Sequence, residues 1–420
     1  MKRRTKEICK TLMILLLLGS VALLSLTAVS FSGAEIPVLT ALASRLRGGA
    51  YQPPVKAQEL ALTDAAVPLL ITVRTEAGRT SFWGAQGEQK GVYETLGGYL
   101  AEALDTAGEP AAVKASVPEA AAMGDSLLFR FPGELPLPVL AAWMDASCGA
   151  ELTASLFLLE AGENGVRLLV NGQDGCYAMD TRAAAGPLLR ALRSYPDDGT
   201  RLAAETGDAV YDHLDPLTLV DPSTRSMAAA HSVNPCDETF LTAAAESLGF
   251  NPYGDASYRD AAGNLVFTEA DCSLRADADG VVVLRNQSQS GRFRAAGSDD
   301  GACIEYIRAL LEGMSAGKLG DASLQFTAIR NEDGQTAVEF TYVLAGLPVV
   351  QNSGAAAVAQ FNGAVLTELR FRIRAYTLSQ TEKIALLPPA QAAAVLEQGG
   401  SLRLSYADRG EERLSAGWLR

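Results

Sequence analysis

Ser126 stands in Gly124-Asp125-Ser126-Leu127, a string in which a serine esterase presents its nucleophile. A serine hydroxyl is a weak nucleophile until a base takes its proton. That base would be a late histidine three residues after an aspartate. The chain holds two histidines, His213 and His231, and neither follows an aspartate at that distance. Residues 124–131 therefore read as a loop entering a strand. Ser315-Ala316-Gly317-Lys318 has the Ser-x-x-Lys spacing of serine acyl-transfer enzymes, without an accompanying Lys-Thr-Gly or Ser-Asp-Asn. It reads as a helix end stopped by Gly317, with a lysine placed favourably at the C-terminal dipole.

Asp277-x-Asp279-Gly280 resembles the opening of a calcium loop, but an EF-hand needs glycine and glutamate where this chain has Val282 and Ser288. A hairpin turn is expected instead. Six cysteines are present: Cys9, Cys148, Cys176, Cys236, Cys272 and Cys303. They include no C-x-x-C pair, so neither a zinc site nor a redox pair is expected. No glycine-rich phosphate loop occurs, and no cofactor is expected. The residues that stand out for recognition are Arg370, Arg372 and Arg374, which alternate with Leu369, Phe371 and Ile373 in AVLTELRFRIRAY. On a strand this puts the apolar set on one face and a guanidinium row on the other, able to dock a partner's carboxylates. The same charges would also protect a sheet edge.

Period-two runs and turn residues supply the elements that would hold these groups. PLLITVRT and TSFW flank Glu76-Ala77-Gly78 as a hairpin. Tyr93, Leu96, Leu100 and Leu104 recur at helical spacing, and strands are expected at 125–133, 155–161, 165–171 and 175–181. Helices follow at 183–194, 238–250 and 302–315. Strands at 323–330 and 335–346, and a hairpin about Asn362-Gly363, complete the pattern with 401–408. The fold class is α+β. We divide it into an N-terminal α+β domain (61–205), a proline-punctuated linker (206–235) and two helix-then-antiparallel-sheet blocks (236–300 and 301–420) that read as a degenerate tandem repeat.

Ahead of these lies TLMILLLLGSVALLSLTAVSF (11–31), which has no charged residue. As a helix it would reach about 31 Å, close to the roughly 30 Å hydrocarbon core of a bilayer. Residues 1–10 carry a net +4 and are expected on the cytoplasmic side, with 32–60 as an extracytoplasmic stalk. A cleaved signal peptide is the rival reading, because Ser32-Gly33-Ala34 suits a signal peptidase. The apolar run is longer than the about 7–15 residues of a signal core, which favours an uncleaved anchor. Gly19, Ser20, Ala22 and Ser25 would give that helix a small-residue face for lateral contacts. The net charge is −14, so −18 remains beyond residue 10. Such a surface repels polyanions and argues against a nucleic-acid partner. A non-enzymatic binding protein is expected.

The anchor, LGGYLAEALDTAG (96–108), LFRFPGELPLPVLAAWM (128–144), LEAGENGVRLLVN and the helix-then-sheet blocks together resemble the YycH/YycI family. Its members are extracytoplasmic regulators of the cell-wall sensor histidine kinase WalK in Gram-positive bacteria. The segment VEFTYVLAGLPVVQNSGAAAVAQFNGAVLTELRFRIRAY is also similar to secreted PepSY-type modules. The resemblance implies a sensor histidine kinase as partner, a paralogous regulator as a second one, and no active site. A cell-surface PepSY-type binding or protease-inhibitory module is the alternative.

Overall fold

The first half of the chain is built from strands whose apolar residues run almost without a break, the pattern of a sheet covered on both faces. The structure, a computed structural model, describes residues 66–419 apart from 85–88, 115, 173, 222, 224–225, 254–256, 288, 290, 316, 333, 397–399 and 401. The apolar run 11–31, with Gly19, Ser20, Ala22 and Ser25, lies outside the described residues. Among those described, no helix is long and apolar enough to cross a membrane. The fold is mixed α+β with antiparallel sheets.

Strands β1 (Leu70–Thr75) and β2 (Gly78–Trp83) form the expected hairpin, with Thr75 opposite Gly78. Helix α1 (Gln89–Asp105), β3 (Ala111–Ala112), α2 (Val117–Met123), β4 (Ser126–Pro136) and α3 (Leu137–Trp143) follow. Next come β5 (Thr153–Gly162), β6 (Gly165–Gly172), β7 (Gly175–Asp180) and α4 (Ala185–Leu192). The strands lie in the order β2-β1-β4-β5-β6-β7-β3. Helix α1 buries Tyr93, Leu96 and Leu100, and the Tyr93 ring meets Phe129 and Phe131 edge-on with centroids 5.9 and 6.1 Å apart. The alternate residues of the same strands, Leu128, Leu158 and Leu169, pack with Val117 and Ala121 of α2 and with Leu202 and Leu217. Helix α2 was not anticipated, although Ser116 and Glu119 form a capping box across its start.

The stretch expected as a linker carries structure of its own. It includes the end of α5 (Ala203–Thr206), which follows β8 (Arg201–Leu202), then β9 (Leu219–Val220) and β10 (Ser226–Val233). Leu214 is buried among Ala392, Ala393 and Leu402, and His213 Nε2 lies 2.9 Å from the Ala393 carbonyl. Prolines punctuate this segment without preventing it from packing.

Helix α6 (Glu238–Ser247) precedes β11 (Ser257–Arg259), β12 (Leu265–Glu269), β13 (Cys272–Ala276) and β14 (Val281–Asn286). Helix α7 (Asp300–Ser315) precedes β15 (Ala322–Glu332), β16 (Gln335–Leu344), β17 (Leu347–Gln351), β18 (Ala357–Asn362), β19 (Val365–Arg372) and β20 (Ala375–Ala385). Helix α8 (Pro389–Ala393), β21 (Arg403–Asp408) and β22 (Ser415–Leu419) close the described chain. Because β14 pairs with β19, the strands after α6 and those after α7 share one sheet, ordered β11-β12-β13-β14-β19-β18-β16-β17-β21-β22 with β15 on the other side of β16. The β17–β21 pair is parallel. β10 and β20 form a separate antiparallel pair.

The two large sheets meet at two irregularities. In β4 the pairing with β5 passes from Arg130–Leu156 to Leu135–Ala154, so residues 131–134 leave the ladder as a bulge. In β15 the register slips at Thr327, between Phe326 and Ala328. Around this contact the Trp143 indole N–H donates to Glu305, its ring meets Phe326 edge-on, and the Arg308 guanidinium lies 5.6 Å from its centroid. A Val67 N–H to Gln325 Oε1 bond of 3.1 Å adds a further tie.

Candidate functional site

The bulge Phe131-Pro132-Gly133-Glu134 forms one wall of a cleft of about 1020 Å³, and Thr327–Glu332 of β15 form the facing wall. Proline and glycine within a strand favour this departure, since neither sustains a regular ladder. Six carboxylates line the cleft: Glu134, Glu151, Asp174, Asp215, Asp300 and Glu332. Three guanidiniums face them, those of Arg130, Arg330 and Arg403.

The cations differ in setting. Arg330 is held by Glu339 across the β15–β16 ladder. Arg130 is 7% exposed, donates through Nη2 to the Leu217 carbonyl at 3.0 Å, and lies 3.8 Å from Asp215 Oδ2. Burial pushes its pKa down to about 10, with the neighbouring Arg403 charge acting in the same direction and Asp215 opposing. The Asp215 carboxylate is fixed by the Leu217 N–H, and its own N–H bonds the Gly400 carbonyl. The cleft is thus an open, polar channel with an excess of negative charge and a buried cation in its wall. That is a setting for a cationic, extended segment.

The expected arginine row is only partly present. Arg370 is exposed on β19, between Val283 of β14 and Val358 of β18, and Arg372 is half-buried at the strand end. Arg374 is 8% exposed, with Nε 3.7 Å from Asp408 Oδ2. β19 stops at Arg372, so the period-two extrapolation fails two residues too early. Tyr376, two residues further on, is fully buried and donates to Asp408 while accepting from Gln351 Nε2, each at 2.9 Å. Arg374 is a core cation and cannot serve as an exposed docking residue.

The imitations of catalytic motifs lie apart from the cleft. Ser126 is buried at the start of β4, opposite Arg74 and Glu160. Ser315 Oγ donates to the Glu312 carbonyl, Gly317 has φ +69°, and Lys318 Nζ lies 5.3 Å from the Phe240 centroid. Asp277 Oδ1 accepts the N–H groups of Asp279 and Val281, closing the β13–β14 turn. His231 lies on β10 in a bridge to Arg413. Sequence reading missed the cleft acids because they come from six separate stretches of the chain; the signal that was available is Pro132-Gly133 inside an apolar strand. Comparison of the chain with family models, curated proteins and solved structures finds no match.

Proposed function

We propose that this chain is a membrane-anchored extracytoplasmic regulator that works by protein–protein contact, its principal partner a two-component sensor histidine kinase concerned with cell-wall homeostasis. The acidic cleft between the two sheets carries this reading: its charge and open form suit a basic segment of another protein. The uncharged run 11–31 behind a basic tail supports tethering beside a membrane kinase. The helix-then-sheet order of 236–300 and 301–420, beyond an N-terminal domain, supports a duplicated module of PepSY type. Regulation then follows from differential binding: a preference of about 1–3 kcal/mol for one kinase state shifts its output several-fold or more. The anchor would add lateral contacts through Gly19, Ser20, Ala22 and Ser25.

Affinity purification of the full-length protein from its native membranes, followed by mass spectrometry, tests the proposal. A sensor histidine kinase is expected with the wild type and is reduced at least about tenfold by Glu134→Lys with Glu332→Lys. Recovery of a secreted protease in place of a kinase would overturn the regulatory reading and favour the inhibitory module.

A further inference from the structure

β15 is an edge strand. It pairs with β16 alone, from Ala322 opposite Leu344 to Glu332 opposite Gln335, and β17 and β18 occupy the other side of β16. In an antiparallel ladder successive residues turn their N–H and C=O groups alternately toward and away from the partner strand. Alternate residues of 328–332 therefore offer a donor and an acceptor on the side away from β16. Among the described residues, no hydrogen bond from another strand, loop or side chain reaches them there. Such a row is a template for a further strand, and proteins commonly blunt it with proline, lysine or a bulge. Residues 322–332 contain neither proline nor lysine, and Arg330 is drawn back across the ladder to Glu339. The register slip is confined to Thr327, where Gly133 closes one end of the edge. From there to the β15–β16 turn, the strand lines the acidic cleft.

Size and charge identify the occupant. A strand of about five residues, rising about 3.4 Å per residue in a slab about 4.8 Å by 10 Å, fills about 800 Å³. The cleft, at about 1020 Å³, has room for it. Successive side chains of an added strand point to opposite faces of the sheet, and carboxylates stand on both. On one face Asn331 Nδ2 donates to Asp300 Oδ1 at 3.1 Å, and Glu332, the next residue, lies on the other. Glu151 and Asp174 line the same cleft; like Glu332, both are exposed and have no ion pair among the described residues. A second copy of this chain would bring the same acids to the edge, and like charges set opposite one another are destabilising. The occupant of complementary charge is a segment bearing lysine or arginine.

We propose that the free edge of β15 takes an extended, lysine- or arginine-bearing segment of another protein, about five residues long, as an added strand. Main-chain hydrogen bonds to 328–332 hold the segment, and the cleft carboxylates select its charge. This binding mode rests on the reading of the cleft as a site for a basic segment, and it holds whichever protein supplies that segment.

The test uses the full-length protein in detergent micelles at constant ionic strength. The probe is fluorescein-labelled Lys-Val-Lys-Val-Lys-Val amide, read by anisotropy. One control replaces every lysine by glutamate. The other is the lysine peptide N-methylated at every residue, which keeps the side chains and charge but has no backbone donors. Saturable binding of the parent below about 1 mM is expected, with both controls at least about tenfold weaker. Amide hydrogen exchange resolved to single residues should slow at alternate positions of 328–332 when the parent is bound. An N-methylated peptide that binds as tightly as its parent would show docking by charge alone; that overturns strand addition and leaves the cleft as a site for a basic segment. No saturable binding of the parent up to about 1 mM, or binding without protection of 328–332, also overturns the proposal. A dimer in light scattering with 328–332 already protected gives the edge to a second copy and overturns it as well. Parent binding with protection of 328–332 supports the proposal whether or not a histidine kinase is recovered from membranes, so the two readings fail separately.

Discussion

Gly133 lies against the backbone of Thr327 so closely that a Cβ on residue 133 would overlap the Thr327 carbonyl group. Each residue sits in the irregular part of its strand, so the two large sheets touch where both ladders fail. The obstacle is backbone and not the end of a flexible side chain, so one strand must move. Gly133→Ala is expected to destabilise the protein by about 1–3 kcal/mol, the range for overpacking, and to change the cleft beside it. Urea unfolding measures the first effect. An unchanged midpoint would mean that the close approach is not maintained in solution.

Asp408 is wholly buried, facing Arg374 at 3.7 Å and accepting the Tyr376 hydroxyl at 2.9 Å. Removing the carboxylate strands a guanidinium in the core. Asp408→Ala should therefore cost about 3–5 kcal/mol, the range for breaking a buried pair. Arg370→Ala, on the exposed side of β19, should fall within about 0.5 kcal/mol of wild type. Denaturant midpoints for the two variants separate the core cation from the surface one, and comparable losses would contradict this division of the arginine row.

That division also shows how far the sequence could be read. Short apolar runs located β1, β4, β5 and β6, alternation located β19, and the Asn362-Gly363 turn located the β18–β19 hairpin, because these features are local. Arg374 was misassigned because alternation says nothing about where a strand ends. β10, SMAAAHSV, is short of the bulky β-branched residues that mark strands, and β20, AYTLSQTEKIA, is mostly polar. Their mutual pairing is a tertiary fact. The cleft was least legible, since its two walls are almost 200 residues apart in the chain and meet where two strands leave their ladders.

Glu205 clamps two arginines: Oε1 lies 3.0 Å from Arg74 Nε, and Arg79, itself 1% exposed, reaches both carboxylate oxygens at 2.7 and 2.8 Å. Burial alone would raise the Glu205 pKa, but the bonds from Arg79, the Leu202 N–H and Arg74 together hold it below its ordinary value of 4.5. The clamp's contribution is therefore full above about pH 4.5 and is lost as pH falls through the lower folded value. At pH 7, Glu205→Gln should cost about 3 kcal/mol, and the gap from wild type should close on acidification. Melting temperatures between about pH 3 and 7 test it. A gap independent of pH would show that shape, and not charge, holds this corner.

Cys236 is half-buried just before α6, and burial pushes its thiol pKa up to about 12, with Asp277 and Asp237 adding to the rise and Arg374 opposing it. The thiolate is the reactive form, and a free cysteine ionises near about 8.5. At pH 8 the native residue should therefore alkylate with iodoacetamide on the order of 10³-fold more slowly than in urea. Its rate should still climb tenfold per pH unit where the unfolded thiol has levelled off. Peptide mapping of Cys236 after timed labelling gives both quantities. Labelling of the folded protein at the unfolded rate would place the thiol in water, outside the packing shared by Arg374, Asp277 and the start of α6.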